Sequence, residues 1–468
     1  MKYEYDLAII GGGSAGLTGA AFAAKLGAKV VLLEKDRLGG DCTWSGCVPS
    51  KALGRAAHAA HEITQAGRFG IDAAPARTDM ARVREWIRTA IADAYAHESP
   101  ETLKARGIDV VFGAARFADP RTLISGDRRL TARRVIICTG AHATVPDLQG
   151  LDGVPYLTYD TLFELAELPR QLVVVGGGPL GVEVAQAFRR LGSAVTIIGP
   201  SLLPREEPEA RAIVADILAR EGVRLVRVRA SAVRDANGEI EVVTSSESVR
   251  GDRLLIAAGR KPNVAGIGLE HAGVVQDAGG IRVDRHLRTN VGHIYACGDV
   301  IGGGQFTHLA GWQCFQALRN ALLPGQTTGL PDVLPRVTFT DPEVASVGLS
   351  EAEALDRYGE KVDVRRWPIA NTDRAICDDA QDGFVKLISV ERRTIVGATI
   401  VAARAGEMIG EVALAMQRGL DLDAIAGTIH AYPTWPLGLQ QLASQIATER
   451  FVTSFLGRAV RRISGLSV

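Results

Sequence analysis

Asp6-Leu7-Ala8-Ile9-Ile10-Gly11-Gly12-Gly13-Ser14-Ala15-Gly16-Leu17 decides the fold of the first part of this chain. Residues 6–10 read as a short buried strand, the glycine cluster as a tight turn, residues 17–26 as a small-residue helix and 29–33 as a second strand. Gly11, Gly13 and Gly16 allow backbone amides to approach a pyrophosphate at the helix N-terminus. Glu34 ends the second strand, where a ribose hydroxyl needs an acceptor. A tight turn alone would explain the glycines, but not a strand, a helix and an acid falling in step with them.

The pattern recurs. A strand over 172–175 leads into Gly176-Gly177-Gly178-Pro179-Leu180-Gly181, a helix through Leu191 and a strand over 194–198, which predicts a second dinucleotide site. That last strand ends in Gly199-Pro200, with neither a carboxylate for a ribose 2′-hydroxyl nor an arginine for a 2′-phosphate, so NADH and NADPH both stay open. Arg205 is near enough to contribute, but Pro204-Arg205-Glu206-Glu207-Pro208 reads rather as a solvated helix start.

Just after the first unit comes Gly39-Gly40-Asp41-Cys42-Thr43-Trp44-Ser45-Gly46-Cys47-Val48-Pro49-Ser50-Lys51. Its glycines and proline break regular structure enough for the two cysteine Cα atoms to come within disulfide range, roughly 4.4–6.8 Å. A helix is expected to start near Ser50, and its positive N-terminal end together with Lys51 would favour a thiolate at Cys47. Two buried, unpaired cysteines are the alternative, for which the glycine-rich flanks have no use.

The chain has 468 residues, enough for roughly three domains with cores of their own. Lys plus Arg and Asp plus Glu both number 53, so bulk charge favours neither nucleic acid nor an anionic membrane as an obligate partner. No apolar stretch approaches the ~20 residues of a membrane span. Residues 1–10 run straight into the strand pattern without a charged leader, from which a cytoplasmic location is expected. Six cysteines in such a chain do not make a secreted disulfide framework, and a disulfide in a reducing compartment is more often catalytic.

Together these motifs resemble the pyridine nucleotide-disulfide oxidoreductases, the flavoprotein family of glutathione reductase, lipoamide dehydrogenase and mercuric reductase, nearly end to end. Ile136-Ile137-Cys138-Thr139-Gly140, Ala258-Gly259-Arg260-Lys261-Pro262-Asn263 and Ile294-Tyr295-Ala296-Cys297-Gly298-Asp299 look like its crossover and FAD-contact motifs. Pro335-Arg336-Val337-Thr338-Phe339-Thr340-Asp341-Pro342-Glu343 resembles the start of its dimerisation domain, and Gly383-Phe384-Val385-Lys386-Leu387 that domain's central strand. The resemblance implies an α/β fold with two Rossmann-like dinucleotide-binding domains and a C-terminal α+β dimerisation domain. FAD would bind to 1–150 and 264–332, NAD(P) to 151–263, and a homodimer would form through 333–468. FAD and NADH or NADPH are the cofactors it implies, with no resident metal.

On the same resemblance, cofactor contacts fall on Gly11, Gly13, Ser14, Ala15, Gly16, Glu34, Lys35, Gly40, Asp41, Cys42, Lys51, Thr139, Gly140, Gly259, Arg260, Gly298 and Asp299, and on Gly176, Gly178 and Gly181. Asp299 would bond the ribityl chain. Cys47 would be the flavin-side thiol and Cys42 the interchange thiol. Lys51, paired with Glu183, would stand by the reactive flavin nitrogen, where a cation stabilises the reduced anion and a buried lysine needs a carboxylate to stay charged.

The departures bear on the acceptor. Disulfide-reducing relatives supply a histidine, then Pro-Thr, then an orienting glutamate. This chain reads His430-Ala431-Tyr432-Pro433-Thr434-Trp435-Pro436-Leu437, with Tyr432 in the histidine's place and Leu437 in the glutamate's. A phenol with a pKa of about 10 is a poor general base beside an imidazole near about 6.5. His430, two residues away, reads as structural. A tyrosine here resembles the mercuric reductases, and paired thiolates suit soft metals. The catalytic set expected is thus Cys42, Cys47, Lys51, Glu183 and Tyr432, serving a soft metal ion or another thiol-reactive oxidant. Arg461-Arg462-Ile463-Ser464-Gly465-Leu466-Ser467-Val468 lacks the metal-relaying cysteines of mercuric reductases, and no N-terminal metal-binding domain is evident, which weakens mercury itself. An atypical lipoamide dehydrogenase or disulfide reductase, with a small-molecule or protein-borne disulfide as acceptor, is the alternative; a slow redox sensor is a third reading. Cys138 and Cys297 read as small buried hydrophobes, and Cys314 and Cys377 as without a redox role. Pro179 stands where relatives carry a gating tyrosine. Residues 450–468 read as a basic amphipathic helix that docks on the body or the dimer partner rather than on a membrane.

Overall fold

Leu7-Ala8-Ile9-Ile10 and Val30-Val31-Leu32-Leu33 show no polar alternation, as expected of strands covered on both faces. In the computed structural model, which describes residues 3–466, they belong to the strands Tyr5–Ile10 and Val30–Glu34 inside a seven-stranded sheet. Leu7, Ile9, Val30 and Leu32 face one core; Ala8, Ile10, Val31 and Leu33 face the other. The sheet runs Ile108–Phe112, Val30–Glu34, Tyr5–Ile10, Arg128–Ile137, Thr122–Ser125, Ala115–Asp119, and Ile294–Ala296 also pairs with Arg128–Ile137. Ile10 stands opposite both Leu33 and Ile137, and Ile137 opposite Ala296, all in parallel register. The strands' C-terminal ends are therefore level. This is the edge at which open parallel sheets bind ligands.

The second repeat forms another sheet, in which Gln171–Val175 lies parallel between Ala194–Ile198 and Arg253–Ile256. An antiparallel three-stranded sheet, Ala230–Ala236, Glu239–Thr244 and Ser248–Gly251, follows in the chain.

The chain divides into two compact units. One runs to Gly176 and takes in Ala187–Pro200 and Leu225–Pro331; the other comprises Gly177–Gln186, Ser201–Arg224 and the residues from Asp332 on. The second is built on a five-stranded antiparallel sheet, in the order Arg336–Thr338, Glu343–Gly348, Thr394–Ala402, Phe384–Val390, Val362–Pro368. Helices Ala405–Gln417 and Leu437–Thr453 cover it through Met408, Ile409, Val412, Leu439, Leu442 and Ile446.

One expectation is corrected here. The helix Pro208–Arg220 does begin at the predicted place, but the acids before it are not solvated. Glu207 is buried, and Glu206 accepts from Ser346 Oγ at 2.8 Å. Lys386, fully buried in its strand, draws Glu207 inward, with Nζ–O distances of 3.2, 3.1 and 2.6 Å to Glu207, Glu209 and Glu351. A buried cation recruits every carboxylate within reach.

The helix expected over residues 450–468 is instead split at Ser454: residues 450–453 close the helix Leu437–Thr453, and a separate helix, Phe455–Ile463, follows, capped by Ser454, whose Oγ accepts from Gly457 N–H at 2.9 Å. Phe455 and Ile463 on it are exposed. Ser467 and Val468 of that reading, and Met1 and Lys2 of the first strand reading, lie outside the described residues. No helix among the described residues is long and apolar enough to cross a membrane.

Candidate active site

The level strand ends present the first glycine loop, and its geometry admits no side chains. Gly11 has φ +105°, and a Cβ there would lie 2.3 Å from the Cys138 carbonyl oxygen; one on Gly16 would lie 1.9 Å from Gly11 O. Gly13 caps the helix Ser14–Lys25, with Ala15 buried and Ser14 half-buried in its first turn. A Cβ on Gly40 would meet Gly13 Cα at 2.8 Å, so the cysteine segment and the phosphate loop approach closely only because both are glycine there. Glu34 is buried and accepts from Gly12 N–H at 2.6 Å, whereas Lys35 beyond it is exposed.

Residues from distant motifs meet beside this loop. Thr139 Oγ1 donates to Asn263 O at 2.7 Å and Asn263 Nδ2 returns a bond to Thr139 O at 2.8 Å, which fixes the Thr139-Gly140 crossover. Arg260, next to the exposed Gly259, bonds Asp41 through Nη2, lies 3.3 Å from Asp299 and sits over the Tyr159 ring. Burial raises the Asp299 carboxyl above its usual range, and Arg260 opposes that rise. Gly298, with φ +74°, is held by its N–H donating to Gln313 Oε1 at 3.0 Å. Arg260 Nε is buried without a hydrogen-bond partner among the described residues. A bare-backbone cradle, a buried carboxylate at the end of the second strand and an unsatisfied guanidinium nitrogen fit a flavin dinucleotide.

Both cysteines border this region. Cys42 lies in the short helix Gly40–Trp44, and Cys47 is the first residue of the helix Cys47–Gln65. The helix thus starts three residues before the expected Ser50, because Pro49 falls in its first turn, where a missing N–H costs nothing. A Cβ on Gly46 would meet Asp41 O at 2.8 Å; without one, the chain folds back and brings the thiols together. Cys42 is half-buried and Cys47 exposed, its Sγ 3.1 Å from Thr307 Oγ1. The Cys42 thiol is pushed far above its usual range, first by its hydrogen bond with Cys47 and then by burial, while Thr307 and Ser14 pull it down. Cys42 is the proton-holding member of the pair. Cys47 takes the helix N-terminal position, where the dipole favours negative charge. Lys51, one turn on, is exposed and donates to Ser50 Oγ at 3.3 Å.

In the second loop Gly176 has φ +128°, with room for a Cβ denied by Ala257 O at 2.2 Å. Gly178 precedes the helix Pro179–Leu191, which buries Gly181. Pro179 is the helix's first residue, a position that proline suits. Glu183 Oε1 accepts from Phe339 N–H at 2.9 Å within the second unit.

Tyr432 is 69% exposed and donates to Asp373 Oδ2 at 2.7 Å. That bond and the nearby carboxylate charge raise its pKa, which leaves the phenol still less able to act as a base. His430 places Nε2 3.0 Å from both Glu411 oxygens and Nδ1 3.0 Å from Thr428 O. Both ring nitrogens face acceptors and neither is left for a substrate proton, so His430 has the geometry of a structural residue.

Residues 5–314 match the family model for pyridine nucleotide-disulphide oxidoreductases, and residues 334–442 match the dimerisation domain of the same family. The chain belongs to this family. The oxidoreductase is therefore an FAD- and NAD(P)H-dependent enzyme, and its dimerisation domain accords with the homodimer read from the sequence. It is 38% identical to a mercuric reductase of Streptomyces lividans over 95% of this chain and 96% of that one. It is also 32% identical to a dihydrolipoyl dehydrogenase of Bacillus subtilis over 93% and 96%. Among solved structures, the Cu(II) complex of the HOCl-induced flavoprotein disulfide reductase RclA from Escherichia coli matches with TM-score 0.85 and 29% identity, covering 94% and 99%.

One group in the oxidoreductase escaped the sequence reading. Cys138, Cys297 and Cys314 converge in the core with Sγ separations of 3.5 Å (138–297) and 3.9 Å (138–314). The only signal was indirect: two of the three directly follow strands that turn out to be neighbours in register.

Proposed function

We propose that the oxidoreductase takes electrons from NAD(P)H through FAD to a Cys42–Cys47 disulfide and delivers them to a soft, thiol-bound metal ion, working as a cytoplasmic homodimer. The observation that carries the acceptor assignment is the state of the Tyr432 segment. Tyr432 is tied to Asp373 and His430 to Glu411 and Thr428, so this segment offers no free acid–base group for protonating a departing thiolate. A soft metal needs none, because thiolates bind it directly. The mercuric reductases among the relatives, and the neighbour solved as a Cu(II) complex, support the same reading.

FAD, when bound, supplies the two-electron relay between nicotinamide and disulfide. The S–S bond breaks as two electrons arrive, the incoming proton stays on Cys42, and Cys47 keeps the negative charge at its helix terminus. Lys51, with Glu183 in support, is assigned to the flavin nitrogen, and Asp299 and Arg260 to the ribityl side. Gly176, Gly178 and Gly181 are assigned to the NAD(P)H pyrophosphate. For domains we propose 1–150 with 264–332 for FAD, 151–263 for NAD(P)H and 333–468 for dimerisation. The presence of Ile294–Ala296 in the first sheet supports the discontinuous FAD domain.

Anaerobic stopped-flow reoxidation of the two-electron-reduced enzyme tests the acceptor, by following long-wavelength absorbance after mixing with thiol-complexed Hg(II), Cu(II), oxidised lipoamide or glutathione disulfide. Fast reoxidation by a metal with sluggish disulfides is expected. Fast reaction with one disulfide would move the assignment to a disulfide reductase whose partner supplies the proton. Tyr432→Phe is expected to preserve the fold and slow metal turnover by up to about tenfold, the value of roughly one hydrogen bond in the transition state.

A further inference from the structure

Three of the six cysteines have no place in the reaction above, yet the fold assembles them. Cys138 directly follows the strand Arg128–Ile137, Cys297 directly follows Ile294–Ala296, and parallel pairing of Ile137 with Ala296 sets the two side by side. Cys314 comes from the helix Thr307–Leu322. Its Sγ occupies space left by Gly19, where a Cβ would approach to 2.5 Å. All three residues are at most 6% exposed, among Leu7, Ile9, Ala20 and Leu32.

The three sulfurs lie within 4.8 Å of one another, with measured separations of 3.5 and 3.9 Å. Sulfurs at about 2.3 Å from a common ion stand roughly 3.8–4.0 Å apart, so the separations of 3.5 and 3.9 Å lie close to those of a three-sulfur coordination shell. Zinc in a structural site takes four ligands, and the cluster contains three. Cu(I) is among the ions that soft sulfur donors favour, and three sulfurs suffice to coordinate it.

We propose that Cys138, Cys297 and Cys314 form a second thiol site, separate from Cys42 and Cys47, that holds one Cu(I) ion as a structural clamp between the two strand ends and the helix. Each thiol that becomes a thiolate ligand releases its proton to solvent, and copper enters and stays as Cu(I), so no electron is transferred. The site lies directly beneath the flavin loop, since Cys138 O is the atom that would meet a Cβ on Gly11. Occupancy is thereby coupled to the order of that loop. The inference does not depend on which acceptor the enzyme reduces.

Replacing Cys42, Cys47 and Cys377 by Ser leaves these three as the only cysteines in the chain. Because the sulfurs are buried, the triple variant is produced as FAD holoprotein from copper-supplemented medium and purified anaerobically. About one copper per chain is expected after desalting, and X-ray absorption should show Cu(I) with about three sulfur neighbours at about 2.3 Å. Adding Cys314→Ala should abolish retention while FAD content and circular dichroism confirm folding; if that variant does not fold, Cys297→Ala replaces it. Absence of copper, retention unchanged in a folded Cys314→Ala or Cys297→Ala protein, or a native mass two hydrogens light from a Cys138–Cys297 disulfide would each overturn the proposal.

Discussion

Cys42→Ser is expected to cut acceptor reduction by at least about a thousandfold while NAD(P)H still bleaches the bound FAD at the wild-type rate. The split follows from the geometry. Hydride transfer from the nicotinamide involves neither sulfur, so the first half-reaction survives. The second requires a thiol that can leave its partner and attack or bind the acceptor. Cys42 is half-buried, bonded to Cys47 and holds its proton tightly, all properties of a resting thiol that acts only once the acceptor arrives. Serine can accept the same hydrogen bonds but can form neither a disulfide nor a soft-metal bond. Stopped-flow absorbance with the two half-reactions run separately checks this. Equal loss in both halves would mean that the substitution had disturbed the flavin site instead. Cys377→Ser is the control: Cys377 is exposed at the end of the helix Asp373–Cys377, and its substitution should leave both halves unchanged.

Much of this site was legible because backbone sterics force residue identity. A turn at positive φ pressed against a carbonyl demands glycine at Gly11 and Gly176, and a helix turn pressed against Gly11 O demands it at Gly16, so these residues announce both loops. Apolar runs without alternation announced the sheet, since both faces are covered. The cysteine segment reads as a pair, but its helix starts before Ser50 because Pro49 sits in the first turn, which tolerates it, instead of breaking the helix. The Cys138–Cys297–Cys314 cluster could not be read, because separations of 159 and 176 residues carry no local pattern. Glu206 and Glu207 read as solvated for a related reason. The residue that draws Glu207 inward, Lys386, lies 177 residues beyond the neighbouring Glu209 and on another element.

Lys386→Met is expected to destabilise the protein by about 3–5 kcal/mol, the cost of leaving buried charge without its partner. Lys386 is 0% exposed in the strand Phe384–Val390, and its ammonium is the hub for Glu207, Glu209 and Glu351. Arg366 adds a second cation, 2.7 Å from both Glu209 and Glu351. Three carboxylates against two cations would leave an excess negative charge, but Glu209 lies in the first turn of Pro208–Arg220, with Glu207 as its N-cap, and Glu351 opens Glu351–Tyr358. Two helix N-termini therefore supply the remaining positive potential. Burial pushes the Lys386 pKa down, but the hydrogen bonds it donates to Glu351 and Glu209 outweigh that and hold the pKa above the usual lysine value. Burial likewise pushes Glu209 up, and Arg366 and Lys386 hold it below the usual carboxylate value. The signs define a window. A depressed carboxylate stabilises the fold above its unfolded pKa, and that contribution is lost as pH falls through the folded value; a raised lysine stabilises below its unfolded pKa, and that contribution is lost as pH rises through the folded one. The difference between wild type and Lys386→Met should therefore be largest around neutral to mildly alkaline pH, shrinking as pH falls and the stranded carboxylates of the variant take up protons, and shrinking again as pH rises through the lysine's raised pKa. Urea unfolding of the FAD holoprotein across this span of pH measures it. Adding Glu351→Gln to Lys386→Met should recover part of the loss by removing one stranded charge. A deficit that did not change with pH would point to lost packing of the lysine stem rather than to the ion cluster.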